Sequence, residues 1–441
     1  MTTTYSPHTV VIGGGICGLA TAHRLARDGV RVTLLEASDQ LGGLGTFFTC
    51  GEQAVERFYH CVMPTDDDLL ALLDDVGLGD AVRWRKTTMG MIVGSRRHRF
   101  NSPLDLMRFT PLRVHERVRF GAVSLLLRHL GAGRDLDALR TEDWLRRLYG
   151  SHIWEEFFAP MFGSKFGPSF GDVPALYLWQ RLGRERNVAT RGYPEGGYKT
   201  IIDALRVSLE DAGATIRTSA PVHRLRGTAE GCSVTLADGT VLEADDVVST
   251  VPLPQLRRLA DDDLAQSLPS TDLRYQGVVT GVYFLRRRLS GHYWTPILRS
   301  GTEFDGVVEM SSLTGTEVHG GAHLVYVMRY TDRSSRLYRD EPDRIATRWT
   351  VQLRELFPEL RAEEIESVRV FKAPFVEPVY PLGYLSARPP VSVPGTRLLL
   401  ATTAHVYPDV TSWNSSVKLA NLVADGLLDE LSRRRAGEPV P

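Results

Sequence analysis

The first forty residues contain a glycine-rich turn between two apolar runs. Gly13, Gly15 and Gly18 follow the first run in a Gly-x-Gly-x-x-Gly spacing, an amphipathic segment comes next, and the second run ends at Glu36. This order predicts a strand, a tight turn, a helix and a second strand. The glycines permit the turn, the approach of a pyrophosphate and close packing of the helix. The helix N-terminus offers N–H groups to phosphates, and Glu36 is placed to accept hydrogen bonds from a ribose diol. The sequence therefore predicts a Rossmann-type dinucleotide site.

A second glycine pair, Gly42-Gly43, follows the acid after a short spacer. An acid, a spacer and a glycine pair in this order resemble the FAD-dependent amine oxidase superfamily, in particular its protoporphyrinogen oxidase-like and sugar-nucleotide mutase-like branch. The resemblance implies FAD rather than NAD as the cofactor. One position departs from it, because Leu44 stands where the family usually has an arginine that contacts the flavin phosphates. An ordinary glycine-rich loop after a Rossmann strand is the alternative interpretation.

Length and composition suit a two-domain protein. The chain has 441 residues, which favours two interleaved domains. Apolar residues make up 43% and the formal net charge is −1, so the overall balance indicates neither a nucleic-acid partner nor an anionic membrane. No apolar run approaches the ~20 residues of a membrane span, and no signal-peptide pattern precedes the first strand. We therefore expect no integral membrane segment, a cytoplasmic location and a small-molecule substrate, with a homodimer as one candidate assembly.

The four cysteines are scattered without metal-ligand spacing, so we expect free thiols and no metal site. Superfamily members that hold FAD through a thioether use a cysteine near the C-terminus. Because no cysteine follows Cys232, the resemblance implies non-covalent FAD.

The pattern along the chain predicts an α/β fold, in which a Rossmann-type FAD-binding domain is interleaved with a substrate domain of antiparallel sheet plus helical cap. Residues 103–181 have the helical periodicity expected of the cap, and residues 275–284 and 323–330 have the pattern of strands in a second sheet. The predicted FAD-binding domain comprises residues 1–60, 192–255 and 385–441, and the predicted substrate domain comprises residues 61–191 and 256–384.

The resemblance also assigns residues around the flavin. It implies that Val222, in a strand after a Pro-x-Gly-Gly tract, lies behind the adenine. In the superfamily the closing helix points its N-terminus at the flavin pyrimidine ring, where the positive end of its dipole stabilises negative charge. That helix begins here near Ser412, Trp413 and Asn414, which are therefore the expected flavin neighbours. A serine N-cap before a buried tryptophan is compatible with the same pattern.

Two residues are candidates for the chemistry, His60 and Lys165. His60 lies in a tract that runs beside the flavin in the mutases and in protoporphyrinogen oxidase-like members, and an imidazole pKa suits proton transfer near neutrality. A buried core histidine explains the position nearly as well. Lys165 lies among glycines and aromatic residues of the cap, where it could bind a substrate anion or steer a proton. A solvated surface lysine is the alternative.

Three further residues are candidates for the substrate pocket. Arg181 lies near the end of the cap helices, where it could meet a phosphate or carboxylate. Trp294 and Tyr380 could supply aromatic walls beside the flavin, although aromatic side chains at such places more often serve packing.

These features predict an FAD-dependent oxidoreductase that oxidises a small organic metabolite by hydride transfer to flavin N5. Amine oxidases usually carry a lysine on the second-domain strand, and residues 275–284 contain none. An alcohol, a sugar or a ring carbon is therefore as plausible a substrate as an amine. The first alternative is a flavin-dependent sugar-nucleotide mutase or isomerase with no net redox change, and the second is a non-catalytic flavoprotein.

Overall fold

The strands of the described chain form two large sheets and three small ones. The computed structural model describes residues 7–51, 53–167, 170–184, 189–270 and 273–436. The strands are β1 (His8–Ile12), β2 (Arg31–Leu35), β3 (Phe47–Cys50), β4 (Gln53–Glu56), β5 (Val82–Lys86), β6 (Gly90–Val93), β7 (Arg96–Arg99), β8 (Thr190–Pro194), β9 (Thr215–Arg217), β10 (Val222–Gly227), β11 (Cys232–Leu236), β12 (Val241–Ala244), β13 (Asp246–Ser249), β14 (Arg274–Leu285), β15 (Trp294–Leu298), β16 (Gly306–Glu309), β17 (His323–Thr331), β18 (Ile365–Val379) and β19 (Leu398–Leu400).

The helices cover the sheets and build the cap. They are α1 (Ile16–Arg27), α2 (Asp67–Asp75), α3 (Pro103–Met107), α4 (Val114–Gly131), α5 (Thr141–Tyr149), α6 (Ser151–Ile153), α7 (Ala159–Phe166), α8 (Ala175–Arg184), α9 (Tyr198–Asp211), α10 (Leu253–Leu259), α11 (Asp262–Ser267), α12 (Ser311–Thr314), α13 (Arg336–Arg339), α14 (Pro342–Leu356), α15 (Tyr384–Ala387) and α16 (Trp413–Ala436). A π-helical turn, Trp154–Phe158, joins α6 to α7. Among the described residues, no helix combines the length and the apolar character that crossing a bilayer requires.

A five-stranded parallel sheet, in the order β19-β13-β1-β2-β9, forms the core of one domain. Val11 of β1 pairs with Val248 of β13 on one side and with Leu34 of β2 on the other. All residues of β1 and β13 are buried, as expected for parallel strands that are covered on both faces. Helices α1, α9 and α16 bury their apolar stripes in one cluster with this sheet. The small antiparallel sheet β10-β11-β12 contributes to the cluster on the opposite face.

A seven-stranded sheet, in the order β18-β14-β17-β16-β15-β6-β7, forms the core of the other domain. Its strand pairs are antiparallel except for β15 with β6. Helix α14 buries Ile345, Trp349 and Leu353 in a cluster on one face. The opposite face packs with the β3–β4 hairpin and with residues 58–61. Helices α3 to α8 form the predicted helical cap.

The mixed α/β architecture is confirmed. The parallel strands come from the three segments that we assigned to the FAD-binding domain, and the strands of the seven-stranded sheet come from the other two. The domain boundaries themselves stay predictions. Strand β8, where the second predicted FAD-binding segment begins, pairs with β5 outside the parallel sheet. Gly192 of β8 permits this approach, since a Cβ there would lie 2.5 Å from Val82 Cγ1.

Candidate functional site

The first glycine turn is closed by atoms that leave no room for side chains. Gly13 has a φ of +107°, and a Cβ there would lie 2.4 Å from Thr250 Oγ1. A Cβ on Gly18 would lie 1.9 Å from the carbonyl oxygen of Gly13. Gly13 therefore makes the turn and Gly18 brings α1 close to it, in the roles that the spacing predicts.

Gly15 is the N-cap of α1 and has space in front of it. Within 4 Å, a Cβ on Gly15 would meet only Gly43 Cα, at 3.8 Å. Gly42, with a φ of +119°, donates its N–H to the Gly14 carbonyl over 2.7 Å. The second glycine pair therefore lies against the first turn. Two walls of bare backbone meet at a helix N-terminus, where N–H groups and the positive dipole end bind anions.

Glu36 lies directly after β2, beside the glycine turn. Its carboxylate accepts the N–H groups of Gly14 and Ser38, each over 2.8 Å. Its carbonyl oxygen accepts the N–H of Ala220 over 2.9 Å, so the chain passes Glu36 just before β10 begins at the half-buried Val222. Glu36 and Val222 thus lie on the same side of the turn, where the ribose and the adenine are expected. Both assignments stay predictions.

Helix α16 begins beside the second glycine pair. A Cβ on Gly45 would lie 2.4 Å from Trp413 Cζ2, so the tryptophan requires a glycine there. Ser412 Oγ accepts a backbone N–H of the first turn over 3.2 Å, which makes Ser412 the N-cap. Asn414 Oδ1 accepts the Leu69 N–H over 2.9 Å. The amide oxygen of Asn414 therefore caps α2, and this contact was not expected of a flavin neighbour.

These three elements, residues 13–18, residues 42–45 and the N-terminus of α16, form what we call the cradle. It fits a flavin dinucleotide. Two helix N-termini lie at the cradle, and their dipoles favour a pyrophosphate and the electron-rich pyrimidine ring. The carboxylate of Glu36 lies beside the expected position of a ribose diol. Because Leu44 replaces the arginine of the family pattern, backbone N–H groups are the phosphate donors that the cradle itself offers.

His60 lies at the edge of the cradle. Its ring centroid is 5.8 Å from that of Trp413 and 5.0 Å from that of Tyr198. Nδ1 lies 2.8 Å from the Phe58 carbonyl oxygen, which can only accept, so Nδ1 carries the proton and Nε2 is the acceptor. Burial lowers the pKa of His60 to about 4. The expected titration near neutrality is therefore wrong, because desolvation keeps the imidazole neutral; the role of His60 beside the flavin stays a prediction.

Lys165 is not a solvated surface lysine. Its Nζ lies 3.0 Å from Glu377 Oε2, and the two side chains are 16% and 3% exposed. Nζ also lies 5.4 Å from the ring centroid of Tyr330. The Tyr177 hydroxyl donates to Glu377 Oε1 over 2.6 Å. Sequence reasoning missed Glu377, although a single carboxylate in the apolar run 375–380 is a recognisable signal.

Arg181 and Trp294 lie near the same group of tyrosines. Burial raises the pKa of the Tyr59 hydroxyl to about 12, and the nearby guanidinium groups of Arg181 and Arg191 act in the opposite direction. Arg181 acts in the same way on the raised pKa of Tyr330. Trp294, half-buried, packs in the cluster that contains Tyr59 and Tyr330. Both candidates therefore lie in the region of these tyrosines, while their contact with each other and with a substrate stays a prediction.

Tyr380 does not line a site, and this prediction is corrected. The side chain is 1% exposed, and its hydroxyl donates to the Thr403 carbonyl over 2.8 Å. Its ring centroid lies 5.3 Å from that of Tyr177, 4.9 Å from that of Tyr384 and 4.8 Å from that of Tyr407. The alternative of packing therefore holds, because three aromatic rings and one carbonyl group enclose Tyr380.

Glu56 is a buried carboxylate that sequence reasoning missed. It accepts the Tyr198 N–H at the start of α9 over 2.8 Å and the Tyr193 hydroxyl over 2.7 Å. Burial raises its pKa, while these two hydrogen bonds oppose the rise. A Cβ on Gly197 would lie 2.7 Å from Glu56 Oε1. The Pro-x-Gly-Gly tract therefore admits this carboxylate to the helix N-terminus, and Glu56 is the first residue of the tract that contains His60.

The model of the flavin-containing amine oxidoreductase family matches residues 16–410. The protein named "Putative flavin-containing monoamine oxidase AofH" of Mycobacterium tuberculosis is 25% identical over 262 residues, which are 55% of this chain and 56% of that protein. The chain thus spans about half the length of the curated relatives that it matches first. Other relatives carry the names of oxidases and desaturases.

Solved structures show the same fold. The crystal structure of a "Putative protoporphyrinogen oxidase" from Exiguobacterium sp. 255-15 has a TM-score of 0.78 at 18% identity and covers 97% of this chain and 99% of that chain. Reduced UDP-galactopyranose mutase has a TM-score of 0.74 at 17% identity and covers 96% of each chain. These likenesses bear on the fold alone. The family match extends over most of the sequence, and the assignment of the cradle as the FAD site stays a prediction. The chain belongs to the flavin-containing amine oxidoreductases, and its cofactor is FAD.

Proposed function

We propose that the protein is an FAD-dependent oxidoreductase that oxidises a small organic molecule at a C–H bond. One loop, residues 57–62, carries the proposal. His60 of this loop contacts Trp413 at the cradle, whereas the ring centroid of its neighbour Tyr59 lies 6.4 Å from that of Tyr326 on the second sheet. The cradle and the group of charged and aromatic side chains therefore share a boundary. Bound FAD supplies a hydride acceptor at N5.

The side chains at this boundary can bind and orient a substrate. The Tyr59 hydroxyl keeps its proton, because burial raises its pKa to about 12, and it can donate a hydrogen bond. Neutral His60 offers Nε2 as an acceptor. Lys165, paired with Glu377, brings a positive charge to the aromatic group. Since these groups are largely buried, water is excluded and their electrostatic effects on a bound molecule are strong.

The reacting group stays open between an alcohol, a sugar, a ring carbon and an amine. Strand β14 carries no lysine at the positions where amine oxidases usually have one. The buried lysine of this chain comes instead from α7 of the cap. The ammonium group of Lys165 in α7 would approach a substrate from a different direction than a lysine on the second-domain strand would. This difference supports a substrate other than a simple amine.

A sugar-nucleotide mutase is the second candidate function. The positive charges of Arg181 in α8 and Arg191 in β8 both oppose the rise in the pKa of Tyr59, so two guanidinium groups lie near the Tyr59 hydroxyl. Paired guanidinium groups suit the recognition of a diphosphate. This observation keeps the mutase alternative open, in which the flavin works in its reduced form and no oxidant is consumed.

Anaerobic photoreduction separates the two candidates. The oxidised and the photoreduced protein are each mixed with pooled metabolites, with sugar nucleotides and with O2. Bleaching of the oxidised flavin by a metabolite, followed by turnover with an acceptor, is the result expected of an oxidoreductase. Isomerisation of a sugar nucleotide by the reduced protein alone would overturn that proposal in favour of the mutase. Lys165→Met should impair either activity, and Lys199→Met, which alters a half-exposed pair with Asp203, is the matched control.

A further inference from the structure

The outer surface of α3 and α4 carries a patch of exposed apolar side chains. Fourteen large apolar side chains are exposed in the described part of the chain, and six of them lie between residues 104 and 126. The six are Leu104, Met107, Val114, Val118, Leu125 and Leu126, with exposed fractions from 41% to 83%. Because α3 packs on α4, the six belong to two neighbouring helices, and we call the exposed surface of this helix pair the cap face. Exposed apolar patches of this kind mark interaction sites.

Helix α4 is apolar on two opposite sides. At ~100° per residue, Val114, Val118 and Leu125 fall within about 40° of one another. Phe120 and Leu127 lie roughly opposite, where both are buried in the core of the cap. A surface helix needs only one apolar side to pack on its own domain, and a helix that is apolar all round is normally covered all round. The outer stripe is therefore placed to be covered by a partner.

The cap face is basic as well as apolar. Residues 103–134 contain six arginines and only two acids, Asp105 and Glu116. Glu116 is buried, and its carboxylate accepts the Arg113 N–H over 2.7 Å and lies 3.0 Å from His152 Nδ1. The exposed charge of the segment is thus mainly positive. The overall net charge of −1 conceals this local excess.

We infer that the cap face binds an anionic lipid surface. The apolar stripe would enter the boundary between headgroups and acyl chains, and the exposed Arg108 and Arg113 would pair with lipid phosphates. A bilayer offers apolar and anionic matter side by side, which matches the chemistry of the cap face. A second copy of the chain fits poorly, because a two-fold contact would bring the same arginines together with little negative charge between them. The helix would lie on the membrane without spanning it.

Vesicle flotation of the full-length FAD-loaded protein tests the inference. The protein should float with phosphatidylglycerol vesicles and much less with phosphatidylcholine vesicles, and high salt should weaken the binding. Val118→Glu with Leu125→Glu should weaken binding to phosphatidylglycerol by about tenfold or more. Val351→Glu with Leu422→Glu is the matched control, since these side chains are 52% and 63% exposed away from the cap face, and it should bind as the wild type does.

A second variant tests the arginines separately. Arg108→Gln with Arg113→Gln should weaken binding to phosphatidylglycerol by about fivefold per arginine without changing the weak binding to phosphatidylcholine. FAD content and thermal unfolding show that each variant is folded. Failure of the wild type to float, or flotation that the Val118 and Leu125 changes leave intact, would overturn the inference. A dimer that those changes dissociate, without vesicle binding, would overturn it in favour of a contact between copies.

Discussion

Replacing Lys165 by methionine should destabilise the protein, because it removes the cation paired with a buried carboxylate. Lys165 Nζ lies 3.0 Å from Glu377 Oε2, and Glu377 is only 3% exposed. Breaking a buried ion pair by removing one partner costs about 3–5 kcal/mol. The Tyr177 hydroxyl still donates to Glu377, so the lower end, about 3 kcal/mol, is expected. Urea unfolding of the FAD-loaded protein at neutral pH, followed by circular dichroism, measures the difference.

Two controls make this prediction decisive. Lys199→Met removes a lysine from a pair whose side chains are 39% and 42% exposed, and such a pair is worth at most about 1 kcal/mol. Lys165→Met combined with Glu377→Gln leaves no uncompensated charge at the site and should recover much of the loss, so the two changes should not be additive. A loss for Lys165→Met no larger than for Lys199→Met would refute the buried pair. Full additivity would refute the coupling.

Three further predictions concern the cofactor and the residues beside it. Heating should release intact FAD, which absorbance measures. Gly15→Val should give a folded but colourless protein by circular dichroism and absorbance, since the valine side chain enters the space before α1. A yellow Gly15→Val protein would contradict FAD binding at the cradle. Burial lowers the pKa of His60 to about 4, below the ~6.5 of an unfolded histidine. The contribution of His60 to the free energy of unfolding is therefore complete above pH ~6.5 and is lost as the pH falls towards 4. His60→Gln should lose less stability than the wild type over this pH range. If the free energies of unfolding of the two proteins changed equally with pH, the lowered pKa would be refuted. Ser412→Asp keeps an N-cap but adds a carboxylate at the N-terminus of α16, so the reduction potential of the flavin should fall by roughly 10–40 mV in a dye-coupled titration. Ser412→Asn, the control, should leave the potential unchanged. If Ser412→Asp had the potential of the wild type, the N-terminus of α16 would not face the flavin.

The cradle could be predicted from the sequence because its determinants are local. Gly13, Gly15 and Gly18 all belong to one turn. A Cβ on Gly13 or Gly18 would be too close to neighbouring atoms, whereas Gly15 keeps the space before α1 open. The second glycine pair follows within a few residues. Strands and helices of strong periodicity were likewise predictable, since local pattern and tertiary burial agree in them.

Properties that depend on the surroundings of a side chain could not be predicted in this way. The low pKa of His60 arises from burial by residues far along the chain, whereas its sequence neighbours suggested an ordinary imidazole. Tyr380 was expected at a pocket wall, yet the nearby Tyr384 and two tyrosines from distant segments, Tyr177 and Tyr407, enclose it. In both cases desolvation and packing, which are tertiary effects, decided the outcome.

Polar residues show the same division between local and distant causes. Ser412 caps its own helix as the sequence suggested, because an N-cap bond spans only three residues. Asn414 instead caps α2 through the Leu69 N–H, and Glu56 caps α9, both across long stretches of chain. Net charge fails for a related reason: a sum over the chain cannot report where the charges lie. Residues 103–134 contain six arginines and only two acids, and acids elsewhere in the chain balance the difference, so the overall charge does not reveal this local excess.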